Sequence, residues 1–194
     1  MCGIVGIISN QSHQKINLSL DKIAHRGPDS HGIYSHENLS LGHRRLSIID
    51  LSENGHQPMI SNCGNFVLIF NGEIYNHLDV RVKLEPKYTF KSHSDTETLL
   101  YGFIEFGSEI LNMLNGIFAF SILNKQTNEL FIARDQFGIK PLYYYSDENL
   151  FWFSSEIKSI LPLPFNKDVA VESLENYLTF LYSPAEKTPF KHVL

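Results

Sequence analysis

Short apolar runs rich in β-branched and aromatic residues recur along the chain, each closed by a Gly, Asn or Asp cluster. They cover Cys2 to Ser9, Phe66 to Asn71, Gly116 to Leu123, Leu130 to Arg134 ("LFIAR"), Leu142 to Tyr145 and Leu150 to Ser155 ("LFWFSS"). Runs of four to eight residues with such punctuation read as strands, not helices. A polar stretch, "NKQTNE" from Asn124 to Glu129, joins two of them as a hairpin connection would. Helical patterns fall between the strands, at Ile16 to Ala24, Ile74 to Leu84, Ser94 to Ile104 and Val171 to Leu181. In the second, Ile74, Leu78 and Val82 recur every four residues, predicting an apolar stripe. The third opens on Ser94-Asp95-Thr96-Glu97, a capping-box pattern. Hairpins with helices inserted between them predict an α+β fold of antiparallel sheets covered by helices, not a doubly wound parallel sheet.

The chain has 194 residues, 43% of them hydrophobic, enough for one domain with a sizeable core. A net charge of -5 with interspersed signs offers no basic stripe for nucleic acid and no cationic run for a membrane surface. No window approaches the roughly 18 apolar residues of a membrane span, and the N-terminus lacks the basic segment and cleavage site of a signal peptide. Two cysteines far apart argue against a disulfide scaffold and fit a reducing cytoplasm. The nine histidines show no metal-ligand spacing, so no metal is expected.

The opening "MCGIVGII" puts Cys2 directly behind Met1. Cys2 is either a small buried hydrophobe at the head of a strand or, once Met1 is removed, a residue carrying both a thiol and a free α-amine. Other polar or Gly-rich stretches are "HRGPD" (His25 to Asp29), "HRRLSIID" (His43 to Asp50), "NGEIYN" (Asn71 to Asn76), Ser94-Asp95 and "RDQFGIKPL" (Arg134 to Leu142). Taken singly, each has an ordinary explanation. Arg45 suits a surface salt bridge, Asn71-Gly72 a tight turn, and Asp95 the start of a helix. Taken together they supply what an N-terminal nucleophile needs. The amine, with a pKa of about 7.7–8.0, is a base at neutral pH. The Asn71 amide and the Gly72 N–H are donors for an oxyanion. Arg45 can grip an α-carboxylate with two parallel bonds, and Glu73 and Asp95 an α-ammonium. That set fits hydrolysis of an amino-acid side-chain amide.

In order along the chain, "MCGIVG", "HRGPD", "HRRLSIIDL", "NGEIYNH", "SDTE", "GIFAF", "RDQFGIKPLYY" and "SSEIKS" resemble the glutaminase domain of glutamine-hydrolysing asparagine synthetases. These are class II glutamine amidotransferases of the N-terminal nucleophile hydrolases. The resemblance runs from Cys2 to about Lys158, and "RLSIID" separates this branch from relatives with an "HTR"-type segment. It implies a four-layer αββα sandwich of two antiparallel sheets, with Cys2 as nucleophile and Asn71 and Gly72 as oxyanion hole. It places Arg45 on the substrate carboxylate, Asp95 on the ammonium with Glu73 beside it, and the backbone of Leu46, Ile48 and Ile49 along the pocket. Arg26 is expected to support the N-terminal residue. "RDQFGIKPLYY" and "SSEIKS" carry no assigned role, and Cys63 reads as an ordinary turn cysteine.

The expected substrate is L-glutamine, giving glutamate and ammonia without a cofactor. Residues 2–166 would form the amidotransferase domain and 167–194 the start of a link to a synthetase domain absent from this sequence. ATP and Mg are expected only in that domain, which would receive the ammonia and normally amidate aspartate; the resemblance leaves room for a homodimer. Alternatives are the same glutaminase feeding another carboxylate, such as a surface-polysaccharide sugar acid, and a non-catalytic glutamine-binding module that keeps Met1.

Overall fold

A computed structural model describes residues 1–48, 50–182 and 188–194. Its strands are β1 (Gly3–Ile8), β2 (Ser30–His36), β3 (Leu39–Arg45), β4 (Met59–Ile60), β5 (Phe66–Ile74), β6 (Gly116–Asn124), β7 (Glu129–Arg134), β8 (Tyr143–Ser146) and β9 (Phe151–Ser154). The helices are α1 (Ser12–Asp21), α2 (His77–Leu84), α3 (Asp95–Phe106) and α4 (Val171–Phe180). Two antiparallel sheets result, ordered β2-β3-β1-β9-β8 and β4-β5-β6-β7.

Side-chain alternation along the strands builds three apolar layers. Val5, Ile7 and Trp152 leave the first sheet on one face and meet Ile16, Leu20 and Ile23. Leu68, Phe70, Phe118 and Phe120 leave the second sheet on the opposite outer face and meet Leu99 and Leu100 of α3. Between the sheets lie Ile4, Leu39, Leu41, Val67, Ile69, Ala119, Leu123 and Phe153. The layers therefore stack as helix, sheet, sheet, helix, the αββα sandwich the sequence resemblance implies.

Several local expectations need correction. Asn71-Gly72 is not a turn: β5 runs through both residues, paired with Ala119 and Phe118 of β6. The predicted stripe of Ile74, Leu78 and Val82 does not form. Ile74 ends β5 and α2 starts only at His77, leaving Leu78 and Val82 exposed while Val80, Arg81 and Leu84 are buried. The first helix begins earlier than expected, at Ser12, and ends at Asp21. Strands β2 to β4 carry no apolar run. In β3 the outward positions are Ser40 and Gly42, with Gly42 lying against Ile16 and Leu20. The small residues that let α1 approach also erase the strand's signature. The capping box is half made, as Ser94 Oγ accepts from Glu97 N at 3.3 Å but the Glu97 carboxylate reaches further back, to Ser92 N at 2.7 Å.

The C-terminal residues return to the body. Leu194 and Tyr144 exchange two backbone hydrogen bonds, at 2.7 and 3.0 Å, and Val193 is buried among Tyr145, Phe165 and the α1 layer. By contrast α4 leaves Val171, Tyr177, Leu178 and Phe180 exposed.

Candidate active site

The layer between the sheets ends in polar residues. Along β3 the inward positions read Leu39, Leu41, His43, Arg45; along β5 they read Val67, Ile69, Asn71; and Cys2 continues the inward parity of Ile4. Of these, Cys2, Arg45 and Asn71 converge where the apolar filling stops. They line one cavity of about 100 Å³ with Leu46, Ile48, Gly72, Glu73 and Asp95. Every site residue predicted from sequence lies there except Ile49, which falls outside the described residues. Glu73 and Ile48 are exposed at the mouth.

Cys2 is held by its own backbone and by its sulfur. Arg26 Nε donates to Cys2 O at 2.8 Å while its Nη1 meets Glu156 at 3.1 Å. Glu156 also meets His25 and Lys158, at 2.8 and 3.0 Å. The neighbouring serines bind the strand that follows Cys2: Ser155 Oγ accepts from Ile4 N and Ser154 Oγ donates to Ile4 O. "SSEIKS" is therefore a clamp on the N-terminal strand. The Leu46 peptide faces the sulfur with its N–H at 3.4 Å and its carbonyl at 3.6 Å. Burial pushes the Cys2 thiol up, against the lowering effects of the Leu46 bond and the charges of the N-terminus, Arg45 and Lys140. A thiol so placed is protonated at neutral pH and needs a base before it attacks.

The β5 edge explains why Gly72 faces the cavity. Phe118 gives its peptide groups to Asp135, away from β5, so its partner Gly72 faces the other edge of the strand. Phe70, Gly72 and Ile74 share that edge. Phe70 N is taken by Gln57 Oε1 at 2.7 Å and Ile74 N by Asp95 Oδ2 at 2.9 Å. Gly72, between them, opens on the cavity. A Cβ at Gly72 would stand 2.4 Å from Ile117 O, so only glycine fits there. Next to it the Asn71 side chain is 1% exposed, and its Nδ2 has no partner among the described residues. A buried unpaired donor costs free energy, on the order of 1–3 kcal/mol, unless a ligand completes it.

Arg45 is not a surface salt bridge. It is buried, and among the described residues it pairs with no carboxylate. Its guanidinium donates to Ser52 O at 3.0 Å and to Asp50 O. Gly55 makes room for it, since a Cβ there would lie 2.3 Å from Arg45 Nη2. Its other donors make no hydrogen bond among the described residues. Asp95 is also buried, and desolvation raises its carboxyl above the usual range despite the bond from Ile74 N. A cation beside it would favour the ionised form. The cavity thus presents a thiol, the Asn71 amide and Gly72 as neighbouring donors, a buried guanidinium with no ion-pair partner among the described residues, and a buried carboxyl.

Sequence reasoning missed Gln57, Thr96 and Lys140, which also line the cavity. The signal for Lys140 was present in "RDQFGIKPL". Asp135 accepts from Phe137, Ile139 and Lys140 N–H groups at 3.0–3.1 Å, and Arg134 donates to the Lys140 and Gly138 carbonyls. The motif is a rigid turn that carries Lys140 to within 3.5 Å of Met1 Sδ. Cys63 lies apart, exposed, against Ser61 Oγ at 3.2 Å. Among the described residues no three His, Cys, Asp or Glu side chains group as a metal site, and no helix is long and apolar enough to cross a membrane.

The body is a two-sheet αββα sandwich with Cys2 at the end of its inner layer. Two solved structures share it. The glutamine phosphoribosylpyrophosphate amidotransferase of Bacillus subtilis matches at TM-score 0.70 and 23% identity, over 82% of this chain and 43% of its own. A structure described as the allosteric regulatory enzyme of purine biosynthesis matches at TM-score 0.71 and 24% identity, over 83% and 43%. Residues 1–194 match the glutamine amidotransferase domain family, and the chain belongs to it. Asparagine synthetase (glutamine-hydrolysing) 1 of Bacillus subtilis is 41% identical over 100% of this chain and 32% of its own length. The probable asparagine synthetase of Dictyostelium discoideum is 43% identical over 82% and 30%, and asparagine synthetase B of Escherichia coli 38% over 84% and 30%. The chain spans about a third of the length of these curated relatives.

Proposed function

We propose that this glutamine amidotransferase domain hydrolyses L-glutamine at Cys2 once Met1 has been removed. The observation that carries the reading is the buried Asn71 Nδ2, without a partner among the described residues, in one cavity with Cys2 and the buried Arg45 guanidinium. Arg45 binds the α-carboxylate, while Asp95 and Glu73 meet the α-ammonium, which leaves the side-chain amide facing the sulfur. While Met1 is attached, the Cys2 nitrogen is an amide and no base. Freed, it accepts the thiol proton as sulfur bonds to the amide carbon. The carbonyl oxygen becomes an oxyanion held by Asn71 Nδ2 and Gly72 N–H. The C–N bond then breaks, with the proton passing from the amine to the departing ammonia. Water, deprotonated by the same amine, attacks the resulting thioester; glutamate leaves and the thiol is restored. Leu46 and Ile48 form part of the pocket wall.

No cofactor takes part in these steps. The names of the relatives support a larger protein in which residues 2–166 form the amidotransferase domain and 167–194 begin the link to a synthetase domain. That domain would use ATP and Mg to activate aspartate and would receive the ammonia, in the cytoplasm, in a protein able to form a homodimer. The test of the glutaminase is mass spectrometry of the N-terminus combined with ammonia release. Chains starting at Cys2 should release ammonia from glutamine and chains retaining Met1 should not. Equal turnover by both forms would overturn the nucleophile assignment, and no turnover by either would favour a binding module.

A further inference from the structure

Strand β4 stops short. It pairs Met59 with Leu68 and Ile60 with Val67, and goes no further. In that register Gln57 would stand opposite Phe70, but the chain turns away before it. Phe70 is nevertheless satisfied on this edge by side chains. Gln57 Oε1 accepts Phe70 N–H at 2.7 Å, and the His43 ring, reaching across from the other sheet, meets Phe70 O at 3.1 Å. Both groups are buried, Gln57 to 5% exposure and His43 to 0%. The Gln57 amide nitrogen also donates to Thr96 Oγ1 at 3.4 Å, at the start of α3 beside Asp95.

We propose that Gln57 and His43 are positioning residues of the oxyanion hole, standing in for the missing length of β4. The inference rests on the glutaminase reading above. By fixing the Phe70 peptide on both sides, they set the direction of the next residues, Asn71 and Gly72. Gln57 in addition fixes the spacing between those donors and Asp95. The His43 role is restricted to one protonation state. Its Nε2 must carry the proton given to Phe70 O, and its Nδ1 is buried without a partner among the described residues. Desolvation lowers the imidazole to about 3, so it stays neutral through the working range and takes no part in proton transfer.

The test compares His43→Leu, His43→Gln and Gln57→Met in the chain with Met1 removed. Glutamine turnover needs the oxyanion hole; alkylation of Cys2 by iodoacetamide is a simple displacement and does not. His43→Leu and Gln57→Met should lower kcat about ten- to a hundredfold, less than outright loss of one oxyanion donor. KM should stay within about threefold and the iodoacetamide rate within about twofold. His43→Gln keeps an N–H near the Nε2 position and should recover most of the lost kcat. Unchanged kcat in both apolar variants would overturn the inference. So would a kcat loss matched by an equal loss of iodoacetamide reactivity, which marks general loosening of the site. A Cys2→Ala control separates the readings. If it retains turnover, the reaction assignment falls and this inference with it; if it is dead while His43→Leu and Gln57→Met are parent-like, only the positioning role falls.

Discussion

The two walls of the cavity are built by opposite means. The wall formed by β5 and α3 is regular structure. Asn71 and Gly72 are pinned to β6 by the sheet register, and Asp95 is tied to the same strand through Ile74. The facing wall, formed by Leu46 to Ile48 and Asp50 to Gly55, has little regular structure and holds itself by local bonds. Arg45 reaches the carbonyls of Ser52 and Asp50, while the Asp50 carboxylate gathers Ser52 and His93 N–H groups. Under the proposed reaction, the donors that meet the transition state, Asn71 and Gly72, sit on the sheet, where the paired strands resist displacement. Arg45, which would grip the α-carboxylate, sits beside a loop. On the same reading, damage to Asn71 or Gly72 on the strand wall should appear in kcat, and damage to Arg45 at the loop wall in KM.

The largest effect should come from Cys2→Ala, which removes the bond-forming atom and should reduce turnover by about 10⁴-fold or more. Glutamine binding, measured by calorimetry, should survive, because both walls remain. A glutamine-mimicking electrophile should label Cys2 and leave Cys63 free. Turnover within about tenfold of the parent would remove Cys2 from the mechanism.

Asn71→Ala tests the strand wall alone. It should cost about 10²–10³ in kcat with little change in KM. A raised KM at constant kcat would mean that Asn71 only binds substrate and that the contrast between the walls is false.

Arg45→Lys tests the loop wall. A point charge cannot reproduce the two-bond fork, and loss of a desolvated charge partner costs about 2–5 kcal/mol. The loss should fall on KM for glutamine and largely vanish for its α-carboxyl ester. Gly55→Ala, which drives a methyl into the same guanidinium, should give a weaker form of this defect. Equal losses on glutamine and ester would assign Arg45 to holding the loop.

The smallest effect is a pH dependence. Burial raises the Asp95 carboxyl, and a bound ammonium lowers it again, so glutamine binding expels a proton between the two values. Affinity should be full above the raised free-enzyme pKa and should fall as pH drops through it. Asp95→Asn should weaken binding and flatten this limb of the KM profile. A limb unchanged in that variant would assign it to another group.

Much of this was legible in the sequence, and the failures have physical reasons. The short apolar runs of β1, β5 and β6 announced strands, and the order of short motifs located the cavity residues. The misread places are those where tertiary contacts outweigh local preference. Asn71-Gly72 favours a turn in isolation, yet continuous pairing with β6 carries the strand through it. Leu78 and Val82 have helical spacing, but α2 turns Val80 and Leu84 inward, with Arg81 buried between them donating to the Ser92 and Ser94 carbonyls. Gln57 and His43 could not be found by motif, because their function arises from where a neighbouring strand ends.

That interrupted edge also makes the site observable from within. The Asn71 and Glu73 amides are committed to β6, whereas the Gly72 amide opens on the cavity. In hydrogen–deuterium exchange, Gly72 should therefore trade its proton much faster than the residues on either side while the cavity is empty. A trapped tetrahedral analogue would slow it abruptly. One backbone proton then serves as a built-in occupancy gauge, reporting whether the oxyanion position is filled without any label, chromophore or change to the sequence.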